Sequence, residues 1–373
     1  MFIWKSELEK LLRITQKNLS STSAVPILEN YLFIEKENQL IVRTCNMVSS
    51  TTTKCEIKNG ENREYCVPSQ IYELMKLLPE AKLNLQFKSN GKLKISLESD
   101  PKGKYNQNYY EYSVLLGEEF PDDIEIEKAE FEISMPAKKL LEGINNVEIA
   151  AAKSKEDVRG FDTIYYELID DQLTLTATDG ILLSTTNIEE KYPAEMIKAI
   201  IPRMSNDVIK SILSETNNIE EVKIRFGKKT VEVETRLVTF RTLKSAKESY
   251  PDYRKVIPKL GDISFTINRQ QLIKTLTRLS KVNSENKIYL SLKSDLTGGS
   301  VKITGYETGE ENIDCRLEGT DKFDFYVDVE KFRAMINNYT SEDVTIHLSE
   351  AHKPIIIKDN HLMLLMPCRG DNK

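Results

Sequence analysis

Three kinds of side chain in this sequence could carry chemistry, and each is arranged in a way that argues against it. His347, His352 and His361 lie near the C-terminus. Imidazole is a common zinc ligand, but none of the three has an acidic or histidine partner at the spacing metal sites use. They fall instead among strands separated by a turn. Five cysteines, Cys45, Cys55, Cys66, Cys315 and Cys368, make an odd set with no C-x-x-C pair, which reads as free thiols in a reducing compartment. Asp122 with Asp123, and Asp252 with Glu248, could be paired carboxylates for general acid–base work. Both sets stand at a proline, Pro121 and Pro251, and read as turns. No G-x-x-x-x-G-K-[ST] or G-x-G-x-x-G loop is present, which argues against nucleotide hydrolysis. The expectation is a protein with no intrinsic catalysis, no metal site and no cofactor.

The elements around these residues must then carry the function. The chain has 373 residues, 40% hydrophobic and 29% charged, with a net charge of -6. This is ordinary globular composition with room for two or three domains. No run approaches the roughly 18 apolar residues of a membrane helix, and the start, Met1-Phe2-Ile3-Trp4-Lys5, is not a signal peptide. A cytoplasmic protein is expected.

An internal repeat organises the sequence. FIWKSELEKLLRITQKNL, FEISMPAKKLLEGINNVEIAAA and ISFTINRQQLIKTLTRLSKV each read as a short strand leading into a helix, with Leu8, Leu140 and Leu272 in the same place, 132 residues apart. Leu8, Leu11 and Leu12, then Leu140, Leu141 and Ile144, then Leu272, Ile273 and Leu276 form one apolar stripe per helix. A second helix recurs in VPSQIYELMKLLPE, IPRMSNDVIKSILSE and VDVEKFRAMINNYTSE, with Pro68, Pro202 and Asp328 at the helix starts. LIVRTCNMVSSTTTKCEI, LTLTATDGILLSTTNIE and VKITGYETGEENIDCRLE are matching hairpins, and each unit ends at a proline: Phe120-Pro121-Asp122, Tyr250-Pro251-Asp252 and Met366-Pro367. The reading is α+β, three similar domains at 1–127, 128–260 and 261–373, each with two helices packed on antiparallel sheet.

Charge is segregated. Six fifteen-residue windows over the helices carry 16 basic and 11 acidic residues, a balance of +5, leaving -11 for the rest. The helix of the third domain is the extreme case, with Arg269, Lys274, Arg278, Lys281 and no acid. An acidic body with a basic helical surface would hold phosphate without reading sequence. Lys and Arg are also simply good exposed helix formers.

AVPILEN (residues 24–30), ATDG (177–180), ESYPDYRKVIP (248–258) and LMPCR (365–369) resemble the bacterial DNA polymerase III beta subunit, the DNA sliding clamp, in order and spacing along the whole chain. The resemblance implies the DNA-clamp fold and a head-to-tail homodimer closing a six-domain ring around double-stranded DNA. It implies no catalysis, but an accessory role to a DNA-directed DNA polymerase complex and opening by a separate clamp loader. Lys10, Lys17, Lys76, Arg203, Lys210, Lys274, Arg278 and Lys281 are then expected to face DNA. Tyr110 and Tyr112 would meet Leu279 and Val282 of the partner copy. A cleft for peptide motifs of polymerase, loader and repair proteins would use Thr178, Gly180, Ile181, Leu183, Pro251, Lys255, Val256, Leu364, Met366, Pro367, Cys368 and Arg369. The sequence departs from the family at Ile181 and Leu182, where a polar pair is usual, and at Asp162, where an apolar residue is usual. It also departs in the loop 20–24, which lacks a basic residue, and in the polar tail 370–373. These departures point to a specialised second clamp or a peptide-binding scaffold acting with repair proteins as the alternative, and a metal-dependent nuclease is a distant third.

Overall fold

The computed structural model describes residues 1–19, 25–98, 108–126, 128–153, 160–191, 197–217, 220–247, 249–295 and 298–369. Of the positions singled out above, 20–24, Glu127, Glu248 and 370–373 lie outside them. Among the described residues there are six α-helices: α1 (Lys5–Gln16), α2 (Gln70–Leu77), α3 (Ala137–Glu148), α4 (Arg203–Glu215), α5 (Arg269–Val282) and α6 (Val329–Asn337). None is long and apolar enough to cross a membrane. The rest is antiparallel sheet, so the fold is α+β.

The apolar stripes place the helices. Leu8, Leu11 and Leu12 of α1 are buried, as are Leu140 and Ile144 of α3 and Leu272 and Leu276 of α5. Leu141 and Ile273 of the expected stripes are only half-buried; a stripe three or four residues wide leaves its margin at the surface. In α5 and α6 the entry is fixed by a side-chain cap: Asn268 Oδ1 accepts from the Gln271 amide at 3.0 Å and Asp328 Oδ1 from the Lys331 amide at 2.8 Å. Asp328 thus takes the helix-start role expected of it. Pro202, like Asp328, is the last residue of its strand and directly precedes its helix, and Pro68 ends its strand one residue before the Ser69 that precedes α2, strand-end positions where proline is tolerated.

By contact the chain forms two compact units, residues 1–141 with 204–244, and residues 142–203 with 245–373. In the first, a four-stranded sheet runs Phe2–Trp4, Lys82–Lys88, Lys92–Leu97, Tyr109–Ser113. A second sheet of nine strands is continuous because Val238–Leu243 pairs antiparallel with Ser49–Glu56, Thr242 opposite Ser49 and Val238 opposite Thr53. Leu8 and Leu12 pack there with Tyr31, Phe33, Tyr65 and Met75. In the second unit a twelve-stranded sheet is continuous because Leu182–Lys191 pairs with Leu362–Leu365, Leu182 opposite Leu365 and Thr185 opposite Leu362. The middle repeat of the sequence therefore contributes strands to both units.

Among the strand edges left open in the described residues, two lie at the positions expected to meet a partner copy. Tyr109–Ser113 ends the four-stranded sheet. Glu310–Glu318 pairs along 310–315 with Gly298–Gly305 on one side, while Ile263–Asn268 reaches only 316–318 on the other.

Candidate functional site

The expected cleft residues come together in the second unit. Leu183 and Leu364 are register partners across the strand junction. Both are buried, in one cluster with Tyr165, Ile200 and Tyr253 and against the half-buried Tyr250, Ile257 and Leu362. Above this apolar floor, Ile181, Val256 and Met366 are exposed, as are Gly180, Pro251, Lys255 and Arg369, with Pro367 and Cys368 half-buried. Buried Leu183 and Leu364 thus lie near in sequence or register to exposed apolar side chains, an arrangement chemically suited to an apolar anchor.

Local hydrogen bonds shape the walls. Asp179 Oδ1 accepts from the amides of Ile181 and Leu182 at 2.9 and 2.8 Å. The Thr178 hydroxyl donates to the Leu182 carbonyl at 2.8 Å and accepts from the Gly180 amide at 3.0 Å. Gly180 holds φ at 90°, a backbone state that favours glycine. The Met366 amide donates to the Ile181 carbonyl, and the Cys368 amide to that of Tyr326. Lys255 lies 2.9 Å from the Asp252 carboxylate, so its charge is partly answered within the turn.

Sequence reasoning missed the anchor beneath this turn. Glu167 is 3% exposed. Its carboxylate accepts from the hydroxyls of Tyr165 at 3.1 Å and Tyr253 at 3.3 Å and pairs with Arg254 at 2.6 Å. Arg254 also lies over the Tyr253 ring, and Tyr165 stacks on Tyr250 at 4.7 Å. The carboxylate beside it holds the Arg254 guanidinium above its usual range, burial opposing. Burial pushes the Tyr165 hydroxyl up, and Glu167 adds to that. The signal was an acid in the otherwise apolar strand TIYYELI. A second missed pair is Lys331 with Asp179, beside a cavity of about 1220 Å³ lined by Asn145, Glu148, Arg203, Ile273, Lys331 and Asn337, among others.

The basic residues expected to face DNA differ in exposure and engagement. Lys17, Lys274 and Lys281 are exposed, and Lys10 and Lys210 are half-buried. Three have partners within the chain. Lys76 pairs with Glu73 at 2.6 Å. Arg203 donates from Nη1 to the Ala151 and Ala152 carbonyls at 3.2 and 3.3 Å. Arg278 is held by Glu311 in a two-pronged pair, which keeps the Glu311 carboxyl below its usual range.

At the open edges, Tyr110 is exposed and Tyr112 half-buried against the core of its own unit. Leu279 requires a correction: it is 2% exposed inside its own unit, whereas Val282 is 54% exposed. The stripe of α5 turns Leu279 inward and leaves Val282, at the helix end, outside. Asp123 also differs from the turn residue expected. It accepts from the Ser50 hydroxyl and pairs with Arg241 and Arg43, because the strands that follow and precede it bring two guanidinium groups to one carboxylate. The histidines are dispersed: His347 in a strand, His352 exposed beside Glu350, His361 buried. Among the described residues no three His, Cys, Asp or Glu side chains converge as metal ligands would.

Comparison with known proteins places this geometry. Residues 134–252 match the family model of the DNA polymerase III beta subunit, central domain. The beta sliding clamp of Pseudomonas aeruginosa is 23% identical, with 98% of this chain and 99% of the relative covered. The crystal structure of the P. aeruginosa sliding clamp bound to griselimycin superposes with a TM-score of 0.88 at 22% identity, covering 99% of both chains. That of the DNA polymerase III beta subunit from Thermotoga maritima gives 0.87 at 20%, with the same coverage. Residues 134–252 thus match the family model of the beta subunit's central domain, and over 99% of its length the chain shares the fold of the beta sliding clamps it is compared with.

Proposed function

We propose that this chain is a DNA sliding clamp, a non-catalytic accessory subunit that tethers a DNA polymerase to its template. The observation that carries the reading is the agreement of fold with beta clamps over the whole length rather than over one domain. Tethering needs no reacting group. A polymerase held to a ring on DNA meets its template at high effective concentration.

The finer assignments extend this reading. Three domains, 1–127, 128–260 and 261–373, two copies of the chain and a cytoplasmic location complete the proposed assembly. The copies join head to tail at the open edges. Around Tyr109–Ser113 lie the exposed Tyr109, Tyr110, Leu115 and Leu116 and Lys88, Lys92 and Lys94. Around Glu310–Glu318 lie Val282, Tyr306 and the acids Glu307, Glu310, Glu311 and Asp314. Apolar groups face apolar groups; Lys88 and Lys92 pair with Glu111, Glu310 with Lys302 and Glu311 with Arg278, so the charges are largely answered within the chain. Pairing the two strands would cover both edges. The cleft over Leu183 and Leu364 takes apolar peptide motifs of polymerase, clamp loader and repair proteins. The griselimycin complex of a relative supports a ligand site on this fold.

Topology supplies the test. Loaded with a clamp loader onto nicked circular DNA, the protein should survive a high-salt wash and be lost when the circle is cut. Phosphate contact alone is salt-sensitive on either form. Equal loss from circles and linear DNA would overturn encirclement, and divalent-metal-dependent cleavage by the pure chain would favour the nuclease reading.

A further inference from the structure

The turn that walls the cleft has a counterpart in the first repeat. Aligning the hairpins LTLTATDGILLST and LIVRTCNMVSSTT sets Asp179 against Asn46, Gly180 against Met47 and Ile181 against Val48. The two turns close in the same way. Asn46 Oδ1 accepts from the amides of Val48 and Ser49 at 3.1 and 2.8 Å, as Asp179 does from Ile181 and Leu182. The neighbouring strand joins in the same way too. The Leu243 amide donates to the Val48 carbonyl at 2.9 Å, just as Met366 donates to Ile181.

One position breaks the parallel. Where the cleft turn has a glycine, the first turn has Met47, with φ 70° and 57% exposed. A left-handed backbone disfavours a side chain, and water disfavours an exposed apolar one. Both costs fall on one residue without burial to offset them, which is the pattern of a functional position. Val48, Leu243 and Met204 are exposed as well. Met204 is brought alongside by Ser205, whose hydroxyl hydrogen-bonds that of Thr242 at 2.7 Å.

Basic residues flank this patch. Lys17 precedes Asn18, whose side-chain amide donates to the Thr44 and Ser49 carbonyls. Lys228 and Lys229 are exposed, and the Lys229 carbonyl accepts from the Lys244 amide. Asp207, one turn along α4 from Met204, is an acid on the same face, and Asp123 is paired with Arg241 and Arg43.

We propose that Met47, Val48, Met204 and Leu243 form a second peptide-docking surface, which takes a short extended segment of a partner protein with an apolar anchor flanked by acidic residues. The proposal rests on reading the Leu183–Leu364 cleft as a peptide site. The two surfaces differ in their floors. Leu183 is replaced by Ser50, bonded to Asp123, and the Leu182–Leu365 pair by Ser49 and Thr242. The anchor therefore lies across the methionines rather than into an apolar pocket, and binding is expected to be about tenfold weaker than in the cleft, the loss of roughly one buried side-chain contact.

A phage library of random dodecapeptides, selected against the full chain carrying Val256→Asp and Met366→Asp, is expected to yield acidic sequences with one or two large apolar residues. Their binding to the unmutated chain should fall tenfold or more with Val48→Asp and with Met47→Gly. The glycine variant separates docking from folding, since it relieves the positive φ: its thermal midpoint should hold or rise while binding is lost. Selected peptides indifferent to both substitutions, or a selection without binders, overturn the proposal. A parallel selection on the unmutated chain reports on the cleft. Binders sensitive to Val256→Asp alone retain the cleft and eliminate the second surface; no binders in either selection eliminate both.

Discussion

His361 shows how a residue with catalytic credentials can be wholly structural. Its ring stacks on Tyr339 at 4.3 Å, Nδ1 faces Asn360 Oδ1 at 2.8 Å, and Nε2 lies 3.1 Å from Asn338 Nδ2. The same Asn338 amide donates to the Asn146 carbonyl, so a neutral imidazole accepting at Nε2 helps tie the end of α6 to α3. Burial lowers the ring from 6.5 to about 4. An unfolded chain protonates it near 6.5 while the folded chain keeps it neutral. Its stability contribution is therefore complete above about pH 6.5 and is lost as pH falls toward 4, by about 3 kcal/mol over that window. Urea midpoints at pH 7, 5 and 4 should fall steeply for the native chain and more gently for His361→Gln. Parallel slopes would remove His361 as the cause. Nothing in the sequence distinguished this histidine from His352, because its partners, Tyr339 and Asn338, sit on another element.

At the scale of elements, α5 was the most basic helix in the sequence, and its four cations prove unequal. Arg269 donates from Nε to the Ser341 carbonyl and Arg278 is bound to Glu311, while Lys274 and Lys281 are exposed without an ion-pair partner among the described residues. Converting both lysines to alanine should flatten the salt dependence of duplex binding by about two phosphate contacts, a change of roughly 2 in the log–log slope. Arg278→Ala should change it by less than half a contact. Equal slopes for all three chains would remove α5 from the DNA surface. Periodicity made the helices and hairpins legible, since a buried stripe or an alternating strand is a local pattern. The strand junctions were not legible: Ser49 meets Thr242 and Leu182 meets Leu365, pairings between distant segments that leave no local trace. For the same reason the apolar residues proposed for the cleft were named from the resemblance rather than from a local pattern, whereas Glu167, which answers from the strand Thr163–Ile169 the Arg254 of a short helical turn, was not named at all.

At the scale of the whole chain, the edges Tyr109–Ser113 and Glu310–Glu318 are the ones proposed to join copies. If they join copies of the chain, Tyr110→Asp places a carboxylate opposite Glu310–Glu318, where like charges would face each other across the new strand pair. Sedimentation equilibrium should show the dimer dissociation constant raised tenfold or more, with the monomer still folded because Tyr110 is exposed. An unchanged dissociation constant would move the interface elsewhere. Leu279, buried within its own unit, is not available for such a contact, whereas the exposed Val282 of α5 is.

The edges also give the chain a direction. Tyr109–Ser113 and Glu310–Glu318 differ in sequence, charge and neighbours, so joining one to the other leaves a free edge of each kind until a second joint consumes them. A chain blocked at the first edge, mixed with one blocked at the second, therefore has a single joint to make. Such a pair would have the mass of a ring and the topology of a hook, able to touch DNA and unable to be trapped on it.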